Sequence, residues 1–428
     1  VTETLVTKEW IARLAKCNKL FIGFSGGLDS TVLLHALSFE SSLATKIVAV
    51  HVNHGISPNA NQWQELCEHT AEILKVQFMA FKPEFSKEAN LEEEARIARY
   101  YVFSSLMSTE DGLILAHHND DQAETVLLNL FRGAGVDGLA AMPEEKPLAE
   151  GVLFRPLLHR TRLELERYAK EHQLSWVQDE SNLNLAFSRN FIRHKIIPLL
   201  STKWPGVMNN LSRTSEHCQE AQRVLNELAW SDSGMQNLNQ PILSLDKLKR
   251  LTQARLTNVI RLWLRANGVR IPSAKRLQSL LNELILARAL ANPSMEWDNI
   301  QLKRYRQSLY LISSKPNVLP ERIPWNNFPS HLEIKGLGWL QAIEAQKGLC
   351  ISKGSQIDVR FRQGGETFKW HRQTKSLKKL WQEWQVPPWE RDNIPLIYVN
   401  GQLAAVVGFA VSDDVYCEDS GWAIDIIR

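Results

Sequence analysis

Ser25-Gly26-Gly27-Leu28-Asp29-Ser30 follows a short apolar run and opens a helical pattern. Paired glycines let the backbone take positive φ and approach a ligand closely, so that successive N–H groups can form an anion nest. The helix starting near Ser30 would add the positive end of its dipole. These are the parts of a phosphate site, yet the lysine of a G-x-x-x-x-G-K-[ST] loop is missing and a carboxylate stands in the cradle. Asp29 makes sense there if the phosphates arrive with Mg2+, which takes hard oxygen ligands and is commonly shared between carboxylate and phosphate. The competing reading is a strand–turn–helix corner whose aspartate caps the helix.

A second group of charges lies at His117-His118-Asn119-Asp120-Asp121, with Glu124 one turn on. Asp120 and Glu124, four residues apart, share a helix face. Acids in a first turn also simply complement the helix dipole. The group becomes a metal or phosphate site if His118 and Asp121 point into the crevice that holds Asp29. Arg132 ends this helical pattern as either a dipole partner or a phosphate contact.

These residues need elements to carry them. Leu20–Phe24, Lys46–Val52, Val76–Phe81 and Gly112–Ala116 are short apolar runs rich in β-branched residues. Helical patterns lie between and after them, over Ser30–Ser38, Asn61–Leu74, Glu88–Met107 and Asp120–Phe131. Continuous apolar strands alternating with helices predict a parallel sheet covered on both faces. Ligands of such sheets bind beyond the carboxyl ends of the strands, where Ser25–Ser30, His51–Gly55 and His117–Asp121 all fall. Thr161 and Glu164 form a capping-box pair that starts another helix, and the acidic, proline-bearing stretch 142–151 reads as a surface loop. From about Ser215 to Arg288 the pattern is mostly helical, and Lys303–Ser313 reads as a strand pair. Pro-rich Ser314–Trp325 is the linker candidate. In the β-rich remainder, Asn400-Gly401 between two apolar runs signals a hairpin. The fold class is α/β: a Rossmann-like parallel-sheet domain over 1–214, a mostly helical domain over 215–314, and a β-rich α+β domain over 326–428.

The 428 residues carry a formal charge of only +3, with 44% hydrophobic and 23% charged residues. That is an ordinary globular composition, and a nucleic-acid surface would have to be a local patch. The five cysteines are odd in number and dispersed, without a C-x-x-C pair, which leaves zinc ribbons, redox dithiols and local iron–sulfur cradles unsupported. Scattered reduced thiols fit the cytoplasm. The longest apolar run, Leu403–Val411, is too short to span a bilayer, and no signal-peptide pattern is visible.

One local patch exists. Phe368–Trp384 holds Lys369, Arg372, Lys375, Lys378 and Lys379, with no acid before Glu383, and Trp370, Trp381 and Trp384 interleave. Phosphates and exposed bases of RNA suit such a stretch. A solvated helix with its tryptophans in the core is the alternative.

Ser-Gly-Gly-x-Asp-Ser after the first strand resembles the PP-loop ATP pyrophosphatases. The chain further resembles the tRNA(Ile)-lysidine synthetase family over nearly its whole length. The likeness is carried in order by H-V-N-H-G-I-S from His51, E-E-E-A-R-I-A-R-Y from Glu92, the H-x-x-D-D-Q-A-E-T…R-G-x-G pattern, the arginine-bearing stretches after Arg155 and up to Arg193, and the tail from Lys375. The resemblance implies ATP-dependent adenylation of the wobble cytidine in the CAU anticodon of a minor isoleucine tRNA at its C2 oxygen. Free L-lysine then displaces AMP to give lysidine. It implies ATP contacts at Ser25, Gly26, Gly27, Leu28, Asp29, Ser30, His51 and Asn53, and Mg2+ on Asp29 and Asp121 or Asp120. Asp29, Asp121, His118 and Arg132 are the expected catalytic groups, and Arg189, Arg193, Arg372, Lys378 and Lys379 the expected tRNA contacts. His51 and His54 then line a loop beside the adenine; a zinc pair lacks a third ligand nearby. The middle domain would help dock the tRNA and the tail domain would meet its acceptor end. A homodimer is left open as an assembly. The rival readings are another PP-loop tRNA enzyme, such as a base thiolase, and a non-catalytic RNA-binding module. A thiolase of the two-thiocytidine type should show paired cysteines, and a module has no need of an intact Asp29, Asp121 and Ser30.

Overall fold

The computed structural model describes residues 4–85, 91–285, 293–314 and 319–427. The chain forms two compact units, Val1–Glu227 and Leu228–Arg428.

In the first unit, helix α1 (Lys8–Leu14) precedes β1 (Leu20–Gly23), α2 (Leu28–Ser38), β2 (Ile47–Val52), α3 (Ala60–Ile73), β3 (Gln77–Phe81), α4 (Leu91–Leu106) and β4 (Gly112–Ile114). Then come α5 (Asn119–Phe131), α6 (Val136–Leu139), the strands β5 (Glu145–Leu148) and β6 (Gly151–Phe154), and α7 (Arg162–Glu171). The sheet runs in the order β3-β2-β1-β4-β6-β5. All neighbours are parallel except β5, which returns antiparallel along β6. Alternate residues serve opposite faces. Leu20, Ile22, Ile47 and Ala49 pack with α1, α2, α3 and α7, whereas Phe21, Val48 and Val50 pack with Phe103 and Met107 beside α4. Burial on both faces is why these strands read as unbroken apolar runs. The sheet order turns at β1 and β4, and the crevice beyond their carboxyl ends receives the residues singled out above.

Residues 88–90 of the expected helix Glu88–Met107 lie outside the described residues. The stretch 142–151 is not simply a surface loop: 145–148 form the sheet's edge strand. Pro147 is tolerated there because an edge strand has one side free of ladder bonds. Short α8 (Ser188–Phe191) and α9 (Ile197–Lys203) flank a π-helical turn at Ile192–Ile196. The long helix α10 (Val207–Ser233) follows.

In the second unit, α11 (Gln253–Ala266) and α12 (Ala274–Leu280) accompany a four-stranded antiparallel sheet that includes Ile300–Tyr305 and Ser308–Ser313, and a short α13 (Leu377–Glu383) follows later. Further along are two five-stranded sheets and the hairpin Thr367–Trp370/Gln373–Ser376. Asn400 and Gly401 both take positive φ, as the hairpin signal requires. Of the linker candidate, 315–318 lie outside the described residues, while Arg322–Pro324 pair with Asp358–Arg360 and Trp325 is buried in the core. The expectation of isolated thiols is overturned. Antiparallel pairing of Gly348-Leu349 with Tyr416-Cys417 brings Cys350 and Cys417 to a Cα separation of 5.4 Å, and they form a disulfide across 67 residues. Cys17, Cys67 and Cys218 are free.

Candidate active site

The loop after β1 is tied to itself. Ser30 Oγ donates to the Gly27 carbonyl (3.1 Å) and accepts from the Ser25 amide (3.2 Å), and Thr31 Oγ1 donates to the Gly26 carbonyl (3.3 Å). Gly26 has φ of +80°, and a Cβ on it would come within 2.7 Å of Cys67 Sγ. A side chain is therefore excluded there twice over. Gly27 is the N-cap of α2, with only Ser25 Oγ near its Cα hydrogens, so the loop surface at the helix start stays open to close approach. Asp29 stands in the first turn of α2, and its Oδ1 is buried with no hydrogen-bond partner.

His51 and Asn53 serve the loops. His51 Nδ1 donates to the Phe24 carbonyl (2.9 Å), bracing the end of β1. Asn53 donates to Asn61 and Gln64 of α3 and accepts from the Gly55 amide, setting the turn after β2. Both are buried. Burial and the Arg99 charge push the His54 imidazole down to about 4, so it is neutral well above that pH.

Opposite Asp29, the buried His118 is N-cap of α5, and its Nε2 lies 3.6 Å from Asp29 Oδ2 and 3.4 Å from Asp121 Oδ2. Asp120 Oδ1 is 3.6 Å from its Nδ1. Burial opposes a charge here, but the three carboxylates outweigh it and push the imidazole up to about 10. The Asp120 amide lies 3.3 Å from Nδ1, a contact that only an unprotonated nitrogen could accept. Three adjacent carboxylates prevail over one long amide contact, and His118 is an imidazolium.

Asp121 has both oxygens engaged. Oδ1 accepts from Arg189 Nη2 (2.8 Å) and Arg193 Nη2 (3.4 Å), and Oδ2 accepts from the His118 amide (3.1 Å). Burial opposes ionisation, yet the His118 and Arg189 charges hold its carboxyl far below the usual carboxylate range. Glu124, one turn further, accepts from Arg189 Nε (2.7 Å) and Arg193 Nε (2.5 Å). The two arginines, four residues apart across the π-helical turn, thus face the start of α5 together. They were expected at tRNA; in this structure their guanidiniums pair with Asp121 and Glu124.

Arg162 was missed by the sequence reading. Its Nη1 lies 3.6 Å from Asp29 Oδ1, and its amide donates to Asp120 Oδ1 (3.1 Å). The arginine-bearing run after Arg155 was the available signal. Arg132 is not brought to this group: it is exposed at the far end of α5, roughly 18 Å along the helix from Asp120. No set of three or more His, Cys, Asp or Glu side chains suited to a metal ion occurs among the described residues. Asp29, Asp120 and Asp121 surround His118 rather than a common point.

In the second unit the basic stretch is partly neutralised. Lys369 pairs with Asp414 (2.6 Å), Lys375 with Glu383 (2.9 Å), and the Arg372 amide donates to Asp413 (2.6 Å). Trp381 is wholly buried, with Trp370 and Trp384 packed around the same core, so these rings are structural. Lys378 and Lys379 are exposed, and no carboxylate pairs with either among the described residues.

Three family models match: a PP-loop domain over residues 3–200, a TilS substrate binding domain over 243–310, and a TilS substrate C-terminal domain over 357–426. The tRNA(Ile)-lysidine synthase of Legionella pneumophila is 51% identical, the alignment covering 96% of each chain. That of Coxiella burnetii is 40% identical over 98% of this chain and 95% of its own. The chain belongs to the tRNA(Ile)-lysidine synthase family. That of Edwardsiella ictaluri, at 36% identity over 94% of this chain and 93% of its own, agrees. The resemblance drawn from the sequence is borne out, and with it a PP-loop enzyme of the ligase type that modifies tRNA. No helix among the described residues is long and apolar enough to cross a membrane.

Proposed function

We propose that the chain joins free L-lysine to C2 of the wobble cytidine in the CAU anticodon of a minor isoleucine tRNA. The C2 oxygen attacks the α-phosphorus of ATP and pyrophosphate departs. The lysine amine then attacks C2, loses a proton, and AMP leaves with the former C2 oxygen. Supporting this reading is the buried, unbonded Oδ1 of Asp29 beside a Gly26-Gly27 loop open to phosphate.

The donor set suits a nucleotide-borne cation at one place. Asp29 has the open oxygen, and Asp120 neighbours it across His118, whereas both Asp121 oxygens are taken. Asp29 would hold Mg2+, which neutralises charge on the phosphates. The amides at the start of α2 take the pyrophosphate, with Ser25 and Ser30 fixing the loop. His118, protonated at neutral pH, fixes Asp29 and Asp121 and is no general base there. Arg162 offers positive charge beside Asp29 to offset the negative charge that develops on the α-phosphate. Three domains (1–214, 215–314 and 326–428), a cytoplasmic location and tRNA contact by Lys378 and Lys379 belong to the same proposal.

The test is labelled-lysine incorporation into isoleucine tRNA(CAU) and methionine tRNA, with and without ATP. ATP-dependent labelling of the isoleucine tRNA alone is expected. AMP release without lysine incorporation would keep the PP-loop chemistry and refute the substrate.

A further inference from the structure

A group of cations on the α4 side of the sheet plays no part in the chemistry above. Arg155 follows β6 and is only 4% exposed. Its Nη1 donates to the Pro143 carbonyl (2.7 Å) and its Nε to His117 Nδ1 (3.2 Å). No carboxylate pairs with it among the described residues. Burial keeps His117 neutral down to about pH 3, so its Nδ1 remains an acceptor for Arg155. A buried guanidinium held by neutral groups alone leaves its charge unbalanced.

More cations stand above it. Arg96 and Tyr100, one turn apart on α4, place the guanidinium 5.8 Å from the ring centroid. Lys146, on the edge strand β5, puts its Nζ 5.7 Å from the same ring. The phenol itself interacts with Arg155. Arg96 and Lys146 are exposed, and neither has a carboxylate partner among the described residues. Glu145, the adjacent acid, points to the other side of the strand and pairs with Arg13. One ring therefore gathers three cations with which no carboxylate pairs among the described residues. The gathering is linked to the crevice, because His117, which holds Arg155, directly precedes His118.

We propose that Arg96, Tyr100 and Lys146, backed by Arg155, form a surface for the phosphate backbone of the RNA strand that carries its base into the crevice. RNA is the partner because tRNA is the substrate proposed above. Arg96 and Lys146 meet phosphates, Tyr100 holds their side chains in place through its face, and the buried Arg155 biases the local potential.

The test uses the full-length Arg96→Ala/Lys146→Ala double variant, both sites being exposed, and an anticodon stem-loop RNA carrying CAU. Affinity is measured by fluorescence anisotropy across a salt series. Loss of two phosphate contacts should weaken binding about tenfold at low salt and flatten the log–log salt slope by about 1.4, at about 0.7 per contact for a single strand. The charge-conserving Arg96→Lys/Lys146→Arg variant should bind almost as the parent does. Lys170→Ala, on α7 across the sheet, should change nothing. An unchanged slope in the double variant overturns the surface, whatever the lysine-incorporation result. Flattening with the stem-loop in a protein that never incorporates lysine keeps the surface and removes the proposed substrate instead. Equal binding of poly-glutamate with the same slope change would make this a generic anion face and also overturn the proposal.

Discussion

Replacing Glu124 with glutamine removes one charge from a buried cluster while keeping its volume. Glu124 is 1% exposed and accepts from Arg189 Nε at 2.7 Å, Arg193 Nε at 2.5 Å and Arg193 Nη2 at 2.9 Å. With Asp121, the two acids balance the two arginines; the substitution leaves the group at +1. It also turns an amide NH2 toward a guanidinium N–H, since glutamine has only one acceptor oxygen. Breaking a fully buried pair costs about 3–5 kcal/mol. The arginine side chains are 33% and 29% exposed, so water recovers part of that and about 2–3 kcal/mol remains. At about 2–4 °C per kcal/mol for a domain of this size, the first unit should melt about 4–12 °C lower. Scanning calorimetry of the full chain reads this directly, with added ATP identifying the transition that belongs to the PP-loop unit. Pyrophosphate release should fall in parallel, because Arg189 and Arg193 lose the anchor that aims them at Asp121. Unchanged melting with abolished adenylation would refute the clamp and make Glu124 a contact of the reacting groups.

Asp29→Asn should abolish adenylation and leave tRNA affinity nearly intact; parallel loss of both would make Asp29 structural. Lys378→Ala/Lys379→Ala should weaken tRNA binding and lower the salt slope by about 1.4–1.8, and an unchanged slope would return these lysines to a solvated helix face. Cys350→Ser should destabilise the second unit by about 4 kcal/mol on the chain-entropy account of a 67-residue loop. A reductant should do the same to the parent chain and nothing to the variant. Finally, the lowered pKa of His54, about 4 in the fold against about 6.5 unfolded, means the unfolded chain binds the extra proton between those values. Stability of the first unit should therefore fall as pH drops from about 6.5 toward 4, with a shallower fall in His54→Gln by urea titration.

Much of the fold was legible because both-face burial writes itself into sequence as unbroken apolar runs at β1, β2 and β4. What escaped was β5 and β6. A four-residue run, Gly151–Phe154, beside an acidic stretch with two prolines carries too little period to separate strand from loop. Asp29, His118 and Asp121 were legible for a local reason: each sits where a strand gives way to a helix. Arg189 and Arg193 were found as residues but not in their role. Their partner acids lie 65 to 72 residues away, and no spacing rule says which carboxylate a distant guanidinium will meet. Their four-residue separation said only that they would face one way. The remoteness of Arg132, by contrast, was calculable, since a helix starting near Asp120 must carry it some three turns off. The tryptophans of the tail illustrate the opposite limit. Trp381 follows a lysine-rich run in sequence and lies at the centre of a core in space, because Leu377, Leu380 and Trp381 share one helix face.

The charges of the crevice explain why a carboxylate belongs in the phosphate loop. Asp29, Asp120, Asp121, Glu124 and, through Arg162 Nε, Glu166 face His118, Arg162, Arg189 and Arg193, so the negative groups at least match the positive ones. A site balanced in this way has no surplus charge to offset the several negative charges of a triphosphate. On the proposed reading the nucleotide brings its own cation, and that cation needs one protein oxygen not already committed. Asp121 cannot supply it, since its donors are the arginines that also hold Glu124. Asp29 Oδ1 can: it is buried, lacks a hydrogen bond, has Arg162 Nη1 beside it only at 3.6 Å, and lies in the first turn of the helix whose amides would face the phosphates. An asparagine there would keep the shape and the helix start but present a neutral oxygen, so on this proposal the charge, not the cap, is what that position supplies.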